Sequence, residues 1–169
     1  MIKRLYLLIF FLLCTVIASA QIQRKILDFT LGVSTKTQVL NYIKSHQYVY
    51  HLDEEGNFVV QRIKFAGENW SHARFCFYNE KLYLVSFRHN DRITLKENLD
   101  YIWDRLNDSL KKKYSDYIFE SEKDSSSYFD NKTFLVFFYK QVLDVWSICL
   151  EYYDYKLFQQ KDKLEEDEL

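Results

Sequence analysis

Histidine and acidic side chains in the first half of the chain are the residues best suited to hold a metal ion. His46 and His51 flank the stretch QYVY and lie close to Asp53 and Glu54, and imidazole with carboxylate oxygens is a ligand set that zinc accepts. Their spacing matches no pair of ligands on one face of a helix, and it leads into a polar turn. We therefore expect neither a metal nor another cofactor here.

Ser71 and His72 are adjacent in the chain and offer a nucleophile and a base. A base activates a nucleophile only within hydrogen-bond reach. The surrounding residues alternate between apolar and polar, which predicts a strand, and neighbouring strand residues point to opposite faces. Gly32, Gly56 and Gly67 are too scattered for a phosphate-binding loop. We expect no catalytic residues and no enzyme, with a small hydrolase as the less favoured alternative.

The first twenty residues have the features of a secretory signal peptide. A basic start, MIKR, precedes an apolar run over residues 5–18, and Ala18-Ser19-Ala20 forms a small-x-small cleavage site. The run is shorter than the roughly 20 residues that span a bilayer. We expect cleavage before Gln21, a periplasmic or extracellular location, and no transmembrane segment in the mature chain.

The charge balance gives no sign of a nucleic-acid-binding surface. The 169 residues include 23 Lys and Arg against 24 Asp and Glu. Two of the basic residues lie in the signal peptide, so the mature chain has a formal charge of 21 − 24 = −3. Aromatic residues make up 18% of the chain, which suffices for the core of one compact domain. Only the end, KDKLEEDEL, is highly charged, and we expect residues 159–169 to form an acidic flexible tail.

Cys76 and Cys149 are the two cysteines that remain after removal of the signal peptide. In an exported protein, two cysteines that could meet across a sheet are a candidate disulfide. The alternative is a pair of small, buried thiols. The order of the strands decides between them, and the sequence does not give that order.

Two segments have the pattern of amphipathic helices. The first, over residues 35–46, begins with Thr35 and Gln38 in the spacing of a capping box and carries an apolar stripe. The second, over 95–114, begins with the pair Thr94 and Glu97. Its apolar residues recur at helical spacing: Leu95, Leu99, Ile102, Trp103, Leu106, Leu110 and Tyr114.

Three strand-like stretches follow each helix. In the first half, FVVQRIKFA, WSHARFCFY and LYLVSFRH are separated by short polar turns. In the second half, YIFESEK, YFDNKTFLVFFY and VLDVWSICLEYYDYKLF follow in the same order. A shift of 61 residues places Phe77 on Phe138, Tyr78 on Tyr139 and Ser86 on Ser147. A period near 60 residues indicates an internal repeat.

We therefore predict an α+β fold made of two tandem αβββ repeats, with the helices packed on one face of an antiparallel sheet. A lead over residues 21–33 precedes the first repeat at 34–90, and the second repeat covers 91–158.

Several short motifs resemble a known family. Leu31-Gly32-Val33-Ser34 before a helix, Phe65-x-Gly67, Phe75-x-Phe77 and Leu82-Tyr83-x-Val85-x-Phe87 resemble the repeated unit of the β-lactamase-inhibitor-protein superfamily, which includes the small SmpA/OmlA lipoproteins of outer-membrane assembly. The resemblance implies a sheet with helices on one face and the other face left for partners. The second half lacks a counterpart of Gly67, and no functional residue is carried over.

Strand alternation assigns side chains to the two faces. The face expected to pack on the helices carries Val59, Ile63, Phe65, Phe75, Phe77, Val85 and Phe87 from the first repeat and Phe134, Val136, Phe138, Trp146, Ile148 and Leu150 from the second. The opposite face carries both cysteines, Ser147 and the candidate partner-binding residues Trp70, His72, Arg74, Tyr78, Phe137, Tyr139, Glu151 and Tyr153.

This opposite face combines aromatic and charged side chains. Tyr, Trp and Arg are enriched at interface hot spots, so we expect a non-enzymatic binding module that engages a protein or cell-envelope component. The same rings could instead cover a second small core beneath a loop. A structural or assembly accessory of the bacterial cell envelope, acting through sheet edges, is the alternative function.

Overall fold

The computed structural model describes residues 21–90, 96–142 and 145–167, so the predicted signal peptide lies outside the described residues. The described elements are β1 (Lys25–Ile26), β2 (Phe29–Thr30), α1 (Lys36–Ser45), β3 (Tyr50–Leu52), β4 (Phe58–Phe65), β5 (Glu68–Tyr78), β6 (Lys81–Asn90), α2 (Lys96–Lys113), a short 3-10 turn (Ser115–Tyr117), β7 (Ile118–Ser121), β8 (Ser125–Phe129), β9 (Thr133–Val142), β10 (Val145–Asp154) and α3 (Tyr155–Asp167). The chain is an α+β protein.

Eight of the strands form one antiparallel sheet in the order β3-β4-β5-β6-β10-β9-β8-β7. The two halves of the chain meet at its centre, where β6 pairs with β10 from Leu84↔Tyr153 to Asn90↔Ser147. The edges are β3, with three residues, and β7, with four, and the side chains of both strands are exposed. Strands β1 and β2 form a separate hairpin.

Each half has a helix followed by four strands, where the sequence had predicted three. The additional strand of the first half is β3, which is too short for its pattern to be recognised. In the second half, the stretch predicted as one strand over 128–139 contains the end of β8, a turn and most of β9. The Asp130 carboxylate fixes this turn by accepting hydrogen bonds from the backbone N–H groups of Lys132 (3.0 Å) and Thr133 (2.7 Å).

The two predicted helices are confirmed. At the start of α1, the Thr35 hydroxyl accepts a hydrogen bond from the Gln38 N–H (3.3 Å), and the Gln38 side chain accepts one from the Thr35 N–H (2.8 Å). This is the reciprocal capping box that the sequence predicts. Helix α2 covers 96–113 of the predicted 95–114, and its expected cap at Thr94 lies outside the described residues.

A continuous main core joins α1, α2, the β1-β2 hairpin and the sheet. Helix α1 contributes Val39 and Ile43, and α2 contributes apolar residues from each of its turns. The sheet contributes residues from β4, β5, β6, β8, β9 and β10. The buried members of this main core on α2 and the central strands include Leu99, Trp103, Leu106, Leu110, Phe75, Val85, Phe87, Leu135, Phe137, Tyr139, Ile148, Leu150 and Tyr152.

Helix α3 occupies the segment that the sequence predicted as a flexible tail, and that prediction is wrong for residues 159–167. The Asp154 carboxylate caps the helix by accepting a hydrogen bond from the Leu157 N–H (3.0 Å). Leu157 and Phe158 pack against a second, smaller cluster formed by Cys76, Tyr83 and Leu84. Apart from the exposed Leu164, its apolar residues lie in the first turn, so the charged remainder hid the signal.

The predicted register between the two halves is wrong by a few residues. The residue pairs that close the two hairpins, Tyr78↔Lys81 and Val142↔Val145, are 64 residues apart (142 − 78). A β-bulge then places Tyr83 as an extra residue in β6, and the offset falls to 63, as for Val85 and Ile148 (148 − 85). A shift of 61 agrees with neither offset. It differs from 64 by three residues, and an odd error in register assigns the side chains of a strand to the wrong face.

Four residues predicted to face the helices lie on the opposite side, three of them because of this register error. Strand β9 contributes Leu135, Phe137 and Tyr139 to the main core, so the intervening Phe134, Val136 and Phe138 point away from it. Phe77 packs against the main core while Phe138 does not. Val59 lines a cavity on the opposite face, since its neighbours Phe58 and Val60 are core residues.

Candidate functional site

The face of the sheet opposite the main core is arranged in three rows of side chains that run across the strands. The pairing registers place Cys76, Leu84, Tyr153, Phe134 and Phe129 in the first row, Val59, Arg74, Ser86, Glu151, Val136 and Ser127 in the second, and Gln61, His72, Arg88, Cys149, Phe138 and Ser125 in the third. Each row takes one residue from each strand that it crosses.

Helix α3 covers the first row. Leu157 and Phe158 pack on Leu84 and Cys76, and the rings of Phe158 and Tyr153 lie 5.1 Å apart in an edge-to-face contact. The second and third rows stay partly exposed at most of their positions. We call these two rows the open face. The face thus has a small second core under α3 and, beside it, a partly exposed surface.

The structure brings together His72, Arg74 and Glu151 from the predicted binding residues, around one cavity of about 140 Å³. Tyr153 touches the same site through Glu151, and Tyr78 packs at the margin of the smaller cluster. Strands β4, β5, β6 and β10 each supply part of the wall. The cavity is lined by Val59, His72, Arg74, Leu84, Ser86, Arg88 and Glu151.

Trp70, Phe137 and Tyr139 were predicted on the binding face, and the structure places all three in the main core. The core positions of Phe137 and Tyr139 result from the register of β9, which differs from the predicted one. Trp70 pairs with Ile63 on β4, where Arg62 has a left-handed backbone with φ of 53°. Val60 and Ile63 are both core residues although they are three positions apart. The two-residue alternation of a regular strand therefore fails here.

The charge of Arg74 is balanced within the protein. Its Nε donates to Asp53 Oδ2 (2.6 Å), and its Nη2 lies 3.4 Å from Glu55 Oε1. Partial burial acts to raise the pKa of Asp53, but hydrogen bonds from the Asn57 N–H and from Arg74 outweigh it and hold the pKa below its usual value. The Asp53 carboxylate therefore stays anionic and keeps the Arg74 guanidinium in place.

Glu151 accepts two hydrogen bonds from neighbouring hydroxyl groups. Ser86 Oγ donates to its Oε1 (2.9 Å), and Tyr153 Oη donates to its Oε2 (2.5 Å). Burial and the adjacent Glu151 charge raise the pKa of Tyr153, so the phenol remains a donor at neutral pH. Two hydroxyl donors thus hold the Glu151 carboxylate in place.

Arg88 differs from Arg74, although both line the cavity. Its Nε is buried and finds no hydrogen-bond acceptor within the described part of the chain. His72 is its neighbour across β5 and β6. Burial, the Arg88 charge and His51 together lower the pKa of His72, so the imidazole is neutral at pH 7 and adds no charge.

Cys76 and Cys149 are both buried and are not joined in a disulfide, which corrects the candidate pairing. They lie in the first and third rows, on β5 and β10, with β6 between them. Two strand spacings are about 9.5 Å, and a disulfide requires Cα atoms less than about 7 Å apart.

Alkylation should therefore label both thiols in denaturant without any reductant. In the native protein we expect both to react slowly, because they are buried and because burial raises the pKa of Cys76 to about 12. Intact mass after iodoacetamide treatment measures the adducts. A Cys76–Cys149 pair that needed reduction before labelling would contradict the structure.

A second cavity, of about 470 Å³, lies beside α2 at the end of β9 and β10. It combines three aromatic rings with three aspartates and one lysine: Trp103, Tyr139, Trp146, Asp100, Asp104, Asp124 and Lys123. Sequence reasoning missed it, since these residues come from four separate segments. Burial and the nearby Asp100 raise the pKa of Tyr139.

No group of three His, Cys, Asp or Glu side chains in residues 21–90, 96–142 and 145–167 is placed to hold a metal ion. His46 instead packs its ring on Tyr42, at 4.0 Å between ring centroids. Within the same ranges, no helix is both long and apolar enough to cross a membrane. No protein family, curated protein or solved structure matches this chain.

Proposed function

We propose that this protein is an exported, non-enzymatic module that binds a protein or cell-envelope component through its open face. The carrying observation is that α3 covers only the first row of the outer side of the sheet, while most of the second and third rows stay partly exposed, including Arg74, Arg88, Glu151 and Phe138. Arginine and aromatic side chains beside apolar surface are typical of interface hot spots.

The proposal includes the tandem repeat and the placement of α1 and α2 on one face. Support for the repeat comes from the order of elements, a helix and four antiparallel strands in each half, joined at β6 and β10. A sheet with one face left for partners is also what the resemblance to the β-lactamase-inhibitor-protein superfamily implies. That resemblance and the predicted signal peptide stay predictions.

Substitution of Val136 by lysine should abolish partner capture without unfolding the protein. Val136 is partly exposed in the second row, next to Glu151, so the new side chain obstructs the open face while its charge reaches solvent. Immobilised protein is incubated with a cell-envelope extract of the source organism, and retained proteins are identified by mass spectrometry. We expect the amount of partner to fall at least about tenfold, as for a loss of 1.4 kcal/mol.

The matched control is Tyr101→Lys, at a side chain on α2 that is 68% exposed and distant from the open face. This variant should retain the partner in full. Circular dichroism melting curves check that both variants are folded. Equal capture by the Val136 variant, or equal loss with the Tyr101 control, would refute binding through the open face.

A further inference from the structure

The cavity beside α2 brings three aromatic side chains together at one end of the sheet. Trp103 lies on α2, and Tyr139 and Trp146 lie near the hairpin that joins β9 to β10. The ring of Tyr139 is 6.0 Å from that of Trp103 and 5.0 Å from that of Trp146, measured between centroids. We call this space, of about 470 Å³, the aromatic cavity. Its volume is within the usual range of small-molecule sites, about 300–1,000 Å³.

The charged side chains of the aromatic cavity come from two elements. Asp100 and Asp104 are one turn apart on α2 and therefore lie on the same side of the helix. The turn between β7 and β8 supplies Lys123 and Asp124. A hydrogen bond from the Tyr139 N–H to the Asp124 carbonyl (2.8 Å) ties this turn to β9. Ordered backbone thus holds the carboxylates beside the rings.

The charges around the aromatic cavity do not cancel. Among the described residues that line it, three are aspartates and one is a lysine. Asp104, Asp124 and Lys123 form no ion pair with one another or with any other described residue. Even if Asp100 is left out of the count, two carboxylates remain against one ammonium group. The cavity therefore has a net negative charge.

Tyr139 adds a neutral polar group to the wall of the aromatic cavity. Its side chain is 8% exposed, and its Oη is buried and makes no hydrogen bond of normal geometry with a described residue. Burial and the nearby Asp100 raise its pKa, so the phenol keeps its proton at neutral pH. A buried hydroxyl without a partner is costly, and a ligand with a polar atom in reach would remove that cost.

These properties together favour an organic cation as the ligand. The faces of Trp and Tyr rings attract cations, and quaternary ammonium groups are recognised in this way. A metal ion needs a closer set of ligands, and no three His, Cys, Asp or Glu side chains in the described ranges provide one. A neutral molecule would leave the carboxylates unmatched, and an anion would be repelled by them.

We propose that the aromatic cavity binds a small alkylated ammonium ion, whose methyl groups contact the three rings and whose charge faces Asp104 and Asp124. The site goes beyond the proposed function and does not depend on it, because Trp103 and Tyr139 belong to the main core, on the side of the sheet opposite the open face. Val136→Lys, on the open face, should therefore bind such a cation like the unaltered protein.

The test is an NMR titration of the purified, isotope-labelled protein with choline at constant ionic strength, up to about 50 mM, well above a millimolar Kd. The chain has three tryptophans, so each indole N–H signal can be followed. We expect saturable shifts for Trp103 and Trp146. The signal of Trp70 should not move, because this indole is buried elsewhere in the core and donates to the Phe65 carbonyl.

The neutral carbon analogue of choline, in which a tert-butyl group replaces the trimethylammonium group, separates charge from shape. Both molecules have the same size and the same hydroxyl group. We expect the analogue to bind at least about tenfold more weakly, because it loses both the attraction to the ring faces and the attraction to the carboxylates.

The double variant Asp104→Asn/Asp124→Asn should weaken choline binding by roughly 3- to 30-fold, the range for the loss of two partly exposed charge pairs. The matched control is Asp108→Asn/Asp116→Asn, which removes the same charge at exposed positions that do not line the aromatic cavity. The control should bind choline like the unaltered protein. Since all four side chains are exposed, melting temperatures should change little, and thermal unfolding checks this.

Saturable shifts of Trp103 and Trp146 that the Asp104 and Asp124 substitutions weaken, and that the control retains, support the site. Absence of saturable shifts, equal binding of the neutral analogue, or equal binding by the two double variants overturns it. Choline binding without partner capture on the open face would overturn the proposed function and leave this site standing. Partner capture without choline binding would do the reverse.

Discussion

Replacement of Trp70 by alanine is expected to lower the free energy of unfolding by about 3–5 kcal/mol, the usual cost of truncating a buried aromatic residue. Only 1% of its surface is exposed. Its ring lies 5.7 Å from that of Phe87, and its Nε1 donates a hydrogen bond to the Phe65 carbonyl (3.0 Å). Urea denaturation followed by circular dichroism measures the change.

Two further variants make the Trp70 result specific. Trp70→Phe retains most of the apolar volume but loses the hydrogen bond, so it should cost less than the alanine variant. Tyr101→Ala, at an exposed position on α2, should change stability by no more than about 0.5 kcal/mol. A cost below about 1 kcal/mol for Trp70→Ala would place the ring on the open face, as strand alternation had predicted.

Replacement of Asp154 by alanine is the second change with a large expected effect, about 2.5–4 kcal/mol. Asp154 is 6% exposed and accepts a hydrogen bond from Arg24 Nη2 (2.5 Å) as well as from the Leu157 N–H (3.0 Å). Loss of a helix cap costs about 1 kcal/mol, and leaving a partly buried charge without its partner costs roughly 1.5–3 kcal/mol. Thermal and urea unfolding measure the sum.

Asp154→Asn separates these two contributions, because an amide oxygen can still cap α3 while the ion pair is lost. A double-mutant cycle with Arg24→Gln should give a coupling energy above about 1 kcal/mol. Additive effects of the two substitutions would show that Arg24 and Asp154 do not act together. Gly32, with φ of 75°, lies against the Asp154 carboxylate, and a side chain at position 32 would clash with it.

Local patterns predicted the helices and the fold class, because capping and the 3.6-residue period are properties of contiguous residues. The Thr35 and Gln38 capping box is present as predicted. Alternation in the later part of β5 also predicted its faces, since Phe75 lies in the main core and Cys76 opposite. These segments contain no irregularity of the backbone that shifts the side chains.

The remaining errors trace to backbone irregularities that the sequence does not announce. The extra residue Tyr83 in β6 changes the relation between the halves. The left-handed backbone at Arg62 accompanies the change of side near Trp70. Arg88 was missed as a residue that lines the cavity. It is two residues after Ser86 and therefore on the same face, but a single arginine in a strand is usually read as an exposed, solvated side chain.

The edge strands have a consequence for solubility. An unpaired strand is a template on which further chains can stack into amyloid-like ribbons. Leu52 and Phe119, both more than half exposed, lie on these edges and would favour such growth. With only three and four residues of backbone in β3 and β7, an incoming chain gains few ladder hydrogen bonds, and polymerisation along the sheet is disfavoured.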